Sequence, residues 1–215
     1  IERLEERAKA LPARLIVDPT PRRRRRDVFP RFAEHAQVPR EPNLRTAEEI
    51  SALLAPFAIT PRWLTAEAHQ LGVRSRYANP QQLGVDRWMG LLAARQRTQE
   101  PTLVVSVGTA MTVDALSADG VFLGGLIVPG VSLMRQALRQ GTAGVAEVTG
   151  AWQAFPCTTA DGVVSGIVAA LCGAIRSQHA RLAETAGQVP RCLMTGGDAE
   201  RLLPHLALSA ENVPA

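Results

Sequence analysis

The feature that most constrains the fold is a stretch between residues 102 and 127, where three apolar segments are separated by short turns that contain glycine. We predict strands at Thr102 to Ser106, Met111 to Leu116 and Val121 to Ile127, joined by Val107-Gly108-Thr109-Ala110 and by Ala118-Asp119-Gly120. Segments rich in β-branched residues form strands, and connections this short join strands that run antiparallel. The stretch therefore predicts a three-stranded antiparallel sheet.

Helices and one more strand are predicted after this sheet. Pro129-Gly130 opens a helix that would turn Val131, Met134 and Leu138 inward, and a longer helix near Asp161 carries Val164, Ile167, Val168, Leu171 and Ile175 on one face. Arg191 to Met194 is predicted to be a strand ending in Thr195-Gly196-Gly197, before a helix near Asp198. An order of three strands, two helices, a strand and a helix indicates an α/β fold.

Among the helices predicted before the sheet, the last one carries candidate site residues. Its apolar side chains, Val85, Trp88, Met89 and Leu92, recur at the i, i+3, i+4, i+7 spacing of a helix with one buried face. This periodicity places Asp86 and Arg87 in the first turn and away from the buried stripe, after a loop from Arg74 to Gly84. The polar stretch Arg95 to Glu100 is the predicted boundary between two units, residues 1–95 and 96–215.

Composition excludes several classes of protein. With 46% hydrophobic and 20% charged residues, the 215-residue chain is neither a disordered nor a fibrous protein. The 24 basic residues outnumber the 20 acidic ones by a net charge of only +4, which argues weakly for nucleic-acid binding. The run Arg22 to Arg26 would suit an anionic surface, but a solvated loop is the favoured interpretation.

The cysteines and the apolar stretches indicate where such a protein resides. Cys157, Cys172 and Cys192 match neither a disulfide framework nor a zinc-binding spacing, which favours a reducing cytosol. The longest uncharged stretch, Gly120 to Met134, is too short for a membrane span, and the charged start of the chain is unlike a signal peptide. We expect a cytoplasmic protein.

The segment from Tyr77 to Trp88 holds residue types suited to binding an anion and moving a proton. Asp86 lies at a predicted helix N-terminus, where the helix dipole keeps a carboxylate ionised, and Arg87 can form a fork onto a carboxylate or phosphate. The alternative is a purely structural role, in which Asp86 only caps its helix. The residues alone favour that alternative.

Two glycine-containing turns are candidates for phosphate binding. Gly108 and Thr109 join two predicted strands, and Gly196-Gly197 follows another, so bare backbone N–H groups can face a phosphate at either place. Ordinary turns have the same composition, and each motif alone is weak. The four histidines, His35, His69, His179 and His205, show no metal-ligand spacing, and we predict no metal site formed by side chains.

Taken together, these motifs resemble one family. They are Tyr77-x-x-Pro80-x-x-Leu83-Gly84-x-Asp86-Arg87-Trp88, Gly108-Thr109-Ala110-x-Thr112, Phe122-x-Gly124-Gly125-x-Ile127-x-Pro129-Gly130, Thr159-x-x-Gly162-x-x-Ser165-Gly166 and Gly196-Gly197. Their order and spacing are similar to those of type III pantothenate kinases. The resemblance implies two actin-like (ribonuclease H-like) halves with ATP between them, the first lacking its N-terminal phosphate-loop hairpin in this sequence.

The resemblance also implies roles for individual residues. Asp86 would be the general base, and pantothenate would be held by Tyr77, Gly84, Val85, Asp86, Arg87 and Thr159, with Thr159 reaching the site from the partner subunit of a homodimer. Gly108, Thr109, Gly196 and Gly197 would contact ATP, which binds with Mg²⁺ or a similar divalent cation. The implied reaction phosphorylates the terminal primary hydroxyl of pantothenate, the first step of coenzyme A biosynthesis.

Two departures from the family pattern leave an alternative open. The family's Asp-x-Gly-Asn-Thr-x-x-Lys phosphate loop is not found in these residues, and Ser106 stands where many members carry an aspartate tied to a monovalent cation, K⁺ or NH₄⁺. Related proteins have been treated as Bvg accessory factors. The missing phosphate loop, together with the run Arg22 to Arg26, would suit the alternative, a catalytically incomplete relative that acts as a regulatory or accessory binding protein.

Overall fold

The structure is a computed structural model that describes residues 15–16, 51–52, 55–58, 62–142, 145 and 149–213. The run Arg22 to Arg26 lies outside the described residues. Every predicted site residue lies within the described residues.

One seven-stranded sheet organises the described residues, beside a small antiparallel pair. The strands are β1 (Leu15–Ile16), β2 (Arg62–Trp63), β3 (His69–Gln70), β4 (Val73–Ser75), β5 (Thr102–Val107), β6 (Ala110–Leu116), β7 (Val121–Pro129), β8 (Arg191–Thr195) and β9 (Glu211–Asn212). The large sheet has the order β3-β4-β7-β6-β5-β8-β9, and β1 pairs with β2. The predicted antiparallel arrangement of β5, β6 and β7 is confirmed.

The remaining strands extend this central group on both sides. β8 pairs parallel with β5 and β9 parallel with β8, while β4 pairs parallel with β7 at the other edge. A parallel return needs a long crossover, and the helical segment between β7 and β8 supplies it. The α/β class is confirmed, and the order of strands agrees with the actin-like architecture expected for the second half.

The helices are α1 (Val85–Arg97), α2 (Val131–Gly141), α3 (Thr159–Ala186) and the short α4 (Ala199–Leu202). At the start of α3, the Thr158 hydroxyl accepts a hydrogen bond from the backbone N–H of Asp161 and donates one to the carboxylate of that residue. This reciprocal cap satisfies a helix N–H that would otherwise lack a partner, and it fixes the point where α3 begins.

Both faces of the sheet are covered. Leu103 and Val105 belong to a cluster that includes Leu171 and Ile175 of α3, whereas Val104 packs with Trp88 of α1 on the opposite face. Successive residues of a strand point to opposite faces, so a strand covered on both sides is apolar throughout. This explains why the middle of β5, from Leu103 to Val105, is continuously apolar.

Helix α3 is long and apolar enough to cross a membrane by length and composition, with a mean hydropathy of 1.4 over its best window. Its buried residues include Ile167, Leu171, Cys172 and Ile175, which pack in the cluster with β5 and β6. Core helices of this kind pass the same composition test. In this fold α3 covers one face of the sheet.

Two expectations for the elements are wrong. The predicted loop from Arg74 to Gly84 begins inside a strand, because Val73–Ser75 pairs with β7 at the edge of the sheet. Leu138, expected to face inward, is 37% exposed at the far end of α2, where only Val131 is buried. A helix that touches the sheet mainly at its first turn leaves its later apolar residues in solvent.

The cysteines provide a test of this packing. Cys157 is exposed, while Cys172 and Cys192 are buried, and burial raises the pKa of Cys192 to about 12. The thiolate is the reactive form, so a thiol reagent should modify one cysteine per native chain and three in denaturant. Cys157→Ser should remove the native reaction; rapid labelling of two or more thiols would contradict the packing.

The same pKa shift predicts a pH dependence. In the unfolded chain the Cys192 thiol ionises near its ordinary pKa of 9.0, but the folded chain keeps its proton until pH about 12. The unfolded state therefore loses a proton first, and stability falls as pH rises through this interval. Urea unfolding between pH 8 and 10 should show the loss, reduced in Cys192→Ala.

Candidate active site

The chain from β4 to α1 forms a turn that brings two predicted site residues together. The Asn79 side chain accepts a hydrogen bond from the backbone N–H of Gln81, and a single 3₁₀ turn follows from Pro80 to Gln82. As a result Tyr77 and Arg87, ten residues apart, are joined by a 3.0 Å hydrogen bond from Arg87 Nη1 to the phenol oxygen. The turn chemistry noted in the sequence thus builds the first part of the site.

Arg87 is buried and paired with Asp114 of β6. Arg87 Nε donates to both carboxylate oxygens of Asp114 at 3.1 Å, and Nη2 donates to Oδ1 at 2.5 Å. The two side chains are only 5% and 2% exposed. A two-pronged arginine–carboxylate pair fixes geometry as well as charge.

The expectation that Arg87 points away from the buried side of α1 is wrong. Periodicity arguments count apolar residues, and they assign a charged residue to solvent by default. Asp114 lies on the face of β6 that α1 covers, so Arg87 can turn inward and still be paired. Asp114 was not singled out from the sequence, although an acidic residue inside the apolar segment Met111 to Leu116 is a signal, since buried carboxylates require a partner.

Two aromatic rings and one glycine complete the surroundings of the pair. The guanidinium carbon of Arg87 lies 5.9 Å from the centre of the Tyr77 ring and 5.7 Å from that of Phe122, within the range of cation–π attraction. A Cβ atom at Gly125 would lie 2.0 Å from Asp114 Oδ1. Strand β7 therefore passes so close to the pair that only glycine fits there.

The charges of the pair act on each other. Burial raises the pKa of Asp114, the hydrogen bonds and charge of Arg87 oppose that shift, and the nearby negative charge of Asp86 adds to it. Burial works against the charge of Arg87, but its hydrogen bond and attraction to Asp114 raise its pKa above the ordinary value. Arg87 is thus a fixed cation, and the charge of Asp114 balances it.

Asp86 lies beside this pair but in solvent. It occupies the first turn of α1, two residues after Gly84, and is exposed. Its Oδ1 atom would be 2.5 Å from a Cβ atom at Gly84, so the carboxylate lies over the glycine. Val85, between them, is half-buried. The structure therefore brings together Tyr77, Gly84, Val85, Asp86 and Arg87.

The predicted phosphate-binding residues form a second group at the carboxyl ends of β5 and β8. Gly108 and Thr109 are exposed in the turn between β5 and β6. Gly196 has φ of +100°, and a Cβ atom there would lie 2.3 Å from the carbonyl oxygen of Val107. Glycine is required for this close approach, which places Gly196 and the exposed Gly197 beside the Gly108 turn.

Next to this turn, Ser106 of β5 is paired in register with Thr195 of β8. Within the described residues, the Thr195 hydroxyl is buried without a hydrogen-bond partner. Hydroxyls are neutral ligands, so this pair lacks the negative charge that favours a monovalent cation, and Ser106 does not fit a cation site of the kind the resemblance implies. Among the described residues no group of three or more His, Cys, Asp or Glu side chains could hold a metal ion.

Thr159 is separate from both groups in this chain. It is the first residue of α3 and is exposed. Among the residues that the structure describes, no hydrogen bond joins it to Tyr77, Asp86 or Arg87.

The Arg87–Asp114 pair can be tested by urea unfolding. Arg87→Met removes one partner and leaves the other charge buried, which should cost about 3 to 5 kcal/mol of unfolding free energy. Arg74→Met is the matched control, because its 3.8 Å ion pair with Asp119 is exposed and its loss should change the free energy of unfolding far less. Equal, small losses in both variants would show that the buried pair is not formed.

Comparison with known proteins places the chain in a family. A family model described as type III pantothenate kinase matches residues 42–181. The type III pantothenate kinase of Thiobacillus denitrificans is 62% identical over 78% of this chain and 68% of that protein, and that of Nitrosomonas eutropha is 47% identical over 76% and 65%. The chain thus spans about two thirds of the length of these relatives.

A solved structure from Campylobacter jejuni, assigned provisionally to the Baf family of transcriptional activators, is 25% identical to this chain, with a TM-score of 0.45 over 62% of this chain and 58% of the other. The family model covers well over half of the chain, and the relatives exceed 40% identity. The chain therefore belongs to the type III pantothenate kinase family.

Proposed function

We propose that this chain carries the acceptor site and part of the nucleotide site of an ATP-dependent kinase that phosphorylates the terminal primary hydroxyl of pantothenate, the first step of coenzyme A biosynthesis. The observation that carries the proposal is the fixed Arg87 fork beside the exposed carboxylate of Asp86. The names of its relatives, all type III pantothenate kinases, support the same activity.

Arg87 and Tyr77 supply the groups that would hold the acceptor. Arginine has five N–H donors, and one N–H on each terminal nitrogen of Arg87 has no acceptor in the described part of the chain. The Tyr77 oxygen accepts from Arg87, which leaves its own proton free to be donated. These donors suit the carboxylate, amide and hydroxyl oxygens of pantothenate.

Asp86 is the proposed general base. Its carboxylate is exposed in the first turn of α1, beside the fixed Arg87 guanidinium. Phosphoryl transfer has a loose transition state that depends chiefly on positioning and charge stabilisation, so a carboxylate that orients the hydroxyl and accepts its proton is sufficient.

The turn of Gly108 and Thr109, with Gly196 and Gly197 beside it, is the proposed place for the phosphates of ATP. Exposed backbone and a hydroxyl can approach a phosphate closely there, because no side chain intervenes at the three glycines. A divalent cation such as Mg²⁺ would neutralise developing charge on the phosphates, whose oxygens, together with several waters, supply most of its ligands in such sites.

A second copy of the chain is proposed to complete the site through Thr159. The start of α3 is well suited to an interface, since Trp152 is 44% exposed and Phe155 is 90% exposed just before it. Exposed aromatic side chains of this size are frequent in interfaces between subunits. A cytoplasmic homodimer is therefore part of the proposal, and the comparisons do not favour the regulatory alternative.

Replacing the proposed base should separate catalysis from binding. Asp86→Asn should lower turnover by about 10² to 10⁴-fold in steady-state kinetics, while calorimetry shows pantothenate binding within about threefold of the original. Asp119→Asn, an exposed carboxylate in the turn between β6 and β7, is the matched control and should have no effect. An unchanged rate in Asp86→Asn would remove Asp86 from the role.

Titration of pantothenate into the chain tests the acceptor site without requiring turnover. We expect binding that Arg87→Lys weakens about 10- to 100-fold, because lysine keeps the charge beside Asp114 but loses the free fork donors. Circular dichroism checks that the variant is folded. Absence of binding to the folded original chain would refute the acceptor site and favour the accessory-protein alternative.

A further inference from the structure

We propose that Asp114 is a positioning residue of the acceptor site: it does not touch substrate, but it fixes the Arg87 guanidinium so that one N–H of each terminal nitrogen faces the acceptor. The role in substrate binding rests on the proposed function above. The positioning of Arg87 itself is a separate statement about the fold, and it has its own measurement.

The hydrogen bonds of Arg87 carry the first step of the inference. Asp114 accepts hydrogen bonds from Nε and from one N–H of Nη2, the donors along one edge of the guanidinium. Tyr77 accepts a hydrogen bond from one N–H of Nη1. Because the guanidinium is planar, fixing these donors also fixes the direction of the remaining two. Without Asp114 the Arg87 side chain could rotate, and its two free N–H groups would no longer keep a fixed direction.

The packing around the carboxylate carries the second step. Asp114 is 1% exposed, on a strand whose register with both neighbours is continuous at this residue, and its Oδ1 atom occupies the space that a Cβ at Gly125 would fill. The carboxylate therefore has no freedom to follow a moving arginine. The sheet fixes the position of the Asp114 carboxylate, and the hydrogen bonds from Arg87 to this carboxylate fix the guanidinium.

The negative charge of Asp114 allows a positioning role to be distinguished from simple attraction between Arg87 and pantothenate. Pantothenate is an anion, so the negative charge of Asp114 weakens the long-range pull of Arg87 on it. If charge alone governed binding, removal of the Asp114 charge would tighten pantothenate binding. If Asp114 governs direction, the same change weakens binding. The sign of the effect decides between the two.

The test uses two variants that disturb the pair differently. Asp114→Asn removes the charge and one accepting oxygen, while Gly125→Ala keeps all charges but places a methyl group against Asp114 Oδ1, the carbonyl oxygen of Val113 and Arg87 Nη2. In both, we expect the dissociation constant and KM for pantothenate to rise about 10- to 100-fold, since a displacement of about 1 Å can cost that much, with KM for ATP changed less than threefold. Asp119→Asn is the matched control.

Nuclear magnetic resonance of the arginine Nε–H groups measures positioning directly. In the original chain the Arg87 Nε–H, assigned by its loss in Arg87→Lys, should exchange slowly with water because it is buried and bonded to Asp114. It should exchange at least tenfold faster in Asp114→Asn and Gly125→Ala.

The possible results separate the positioning of Arg87 by Asp114 from the binding of pantothenate. Slow exchange that the variants abolish, with weakened pantothenate binding, supports the proposal. Folded variants that bind pantothenate equally well or more tightly overturn it, as does an Arg87 Nε–H that exchanges at the rate of an exposed arginine in the original chain. If the original chain shows slow exchange but binds no pantothenate, the proposed function fails, and the exchange rates of the variants still decide whether Asp114 holds Arg87.

Discussion

The arrangement of the site depends on a buried ion pair between a helix and a sheet. Taking Arg87 and Asp114 out of water is costly, and the cost is offset only when the hydrogen bonds between them are well formed. That requirement constrains every element nearby: α1 must begin where Arg87 faces β6, β7 must pass with a glycine at position 125, and the turn after β4 must return Tyr77 to Arg87. Removing any of these would leave a buried charge badly solvated.

The sheet was predictable because its information is local. The boundaries of β5, β6 and β7 follow from β-branched segments interrupted by Gly108 and Gly120, and the structure moves those boundaries by at most two residues. Helix α1 was equally clear from its apolar spacing. The short strand β4 was not, since three residues at a sheet edge leave no periodic pattern and are specified by pairing with β7.

The site was predictable only in part, and for a physical reason. The motif around Asp86 and Arg87 identifies residue types but not their directions, which depend on a partner 27 residues further along the chain. From the sequence alone Gly125 has no structural explanation, and the explanation for Gly196 is that backbone N–H groups there can face a phosphate. The structure supplies two different ones: Gly125 makes room for a carboxylate, whereas Gly196 has a positive φ and lies against the backbone of Val107.

The turn of Gly108 and Thr109 lies at the end of β5, whose two neighbours in the sheet, β6 and β8, lie at very different distances along the chain. The meander β5–β6–β7 closes only short loops, so its contacts form at low entropic cost, and it contains Asp114, Gly125 and the Gly108 turn. The pairing of β8 with β5 must wait for the chain to return through α2 and α3. The surroundings of Asp114 can therefore take shape from nearby sequence, whereas Gly196 reaches the backbone of Val107 only after the long crossover has docked.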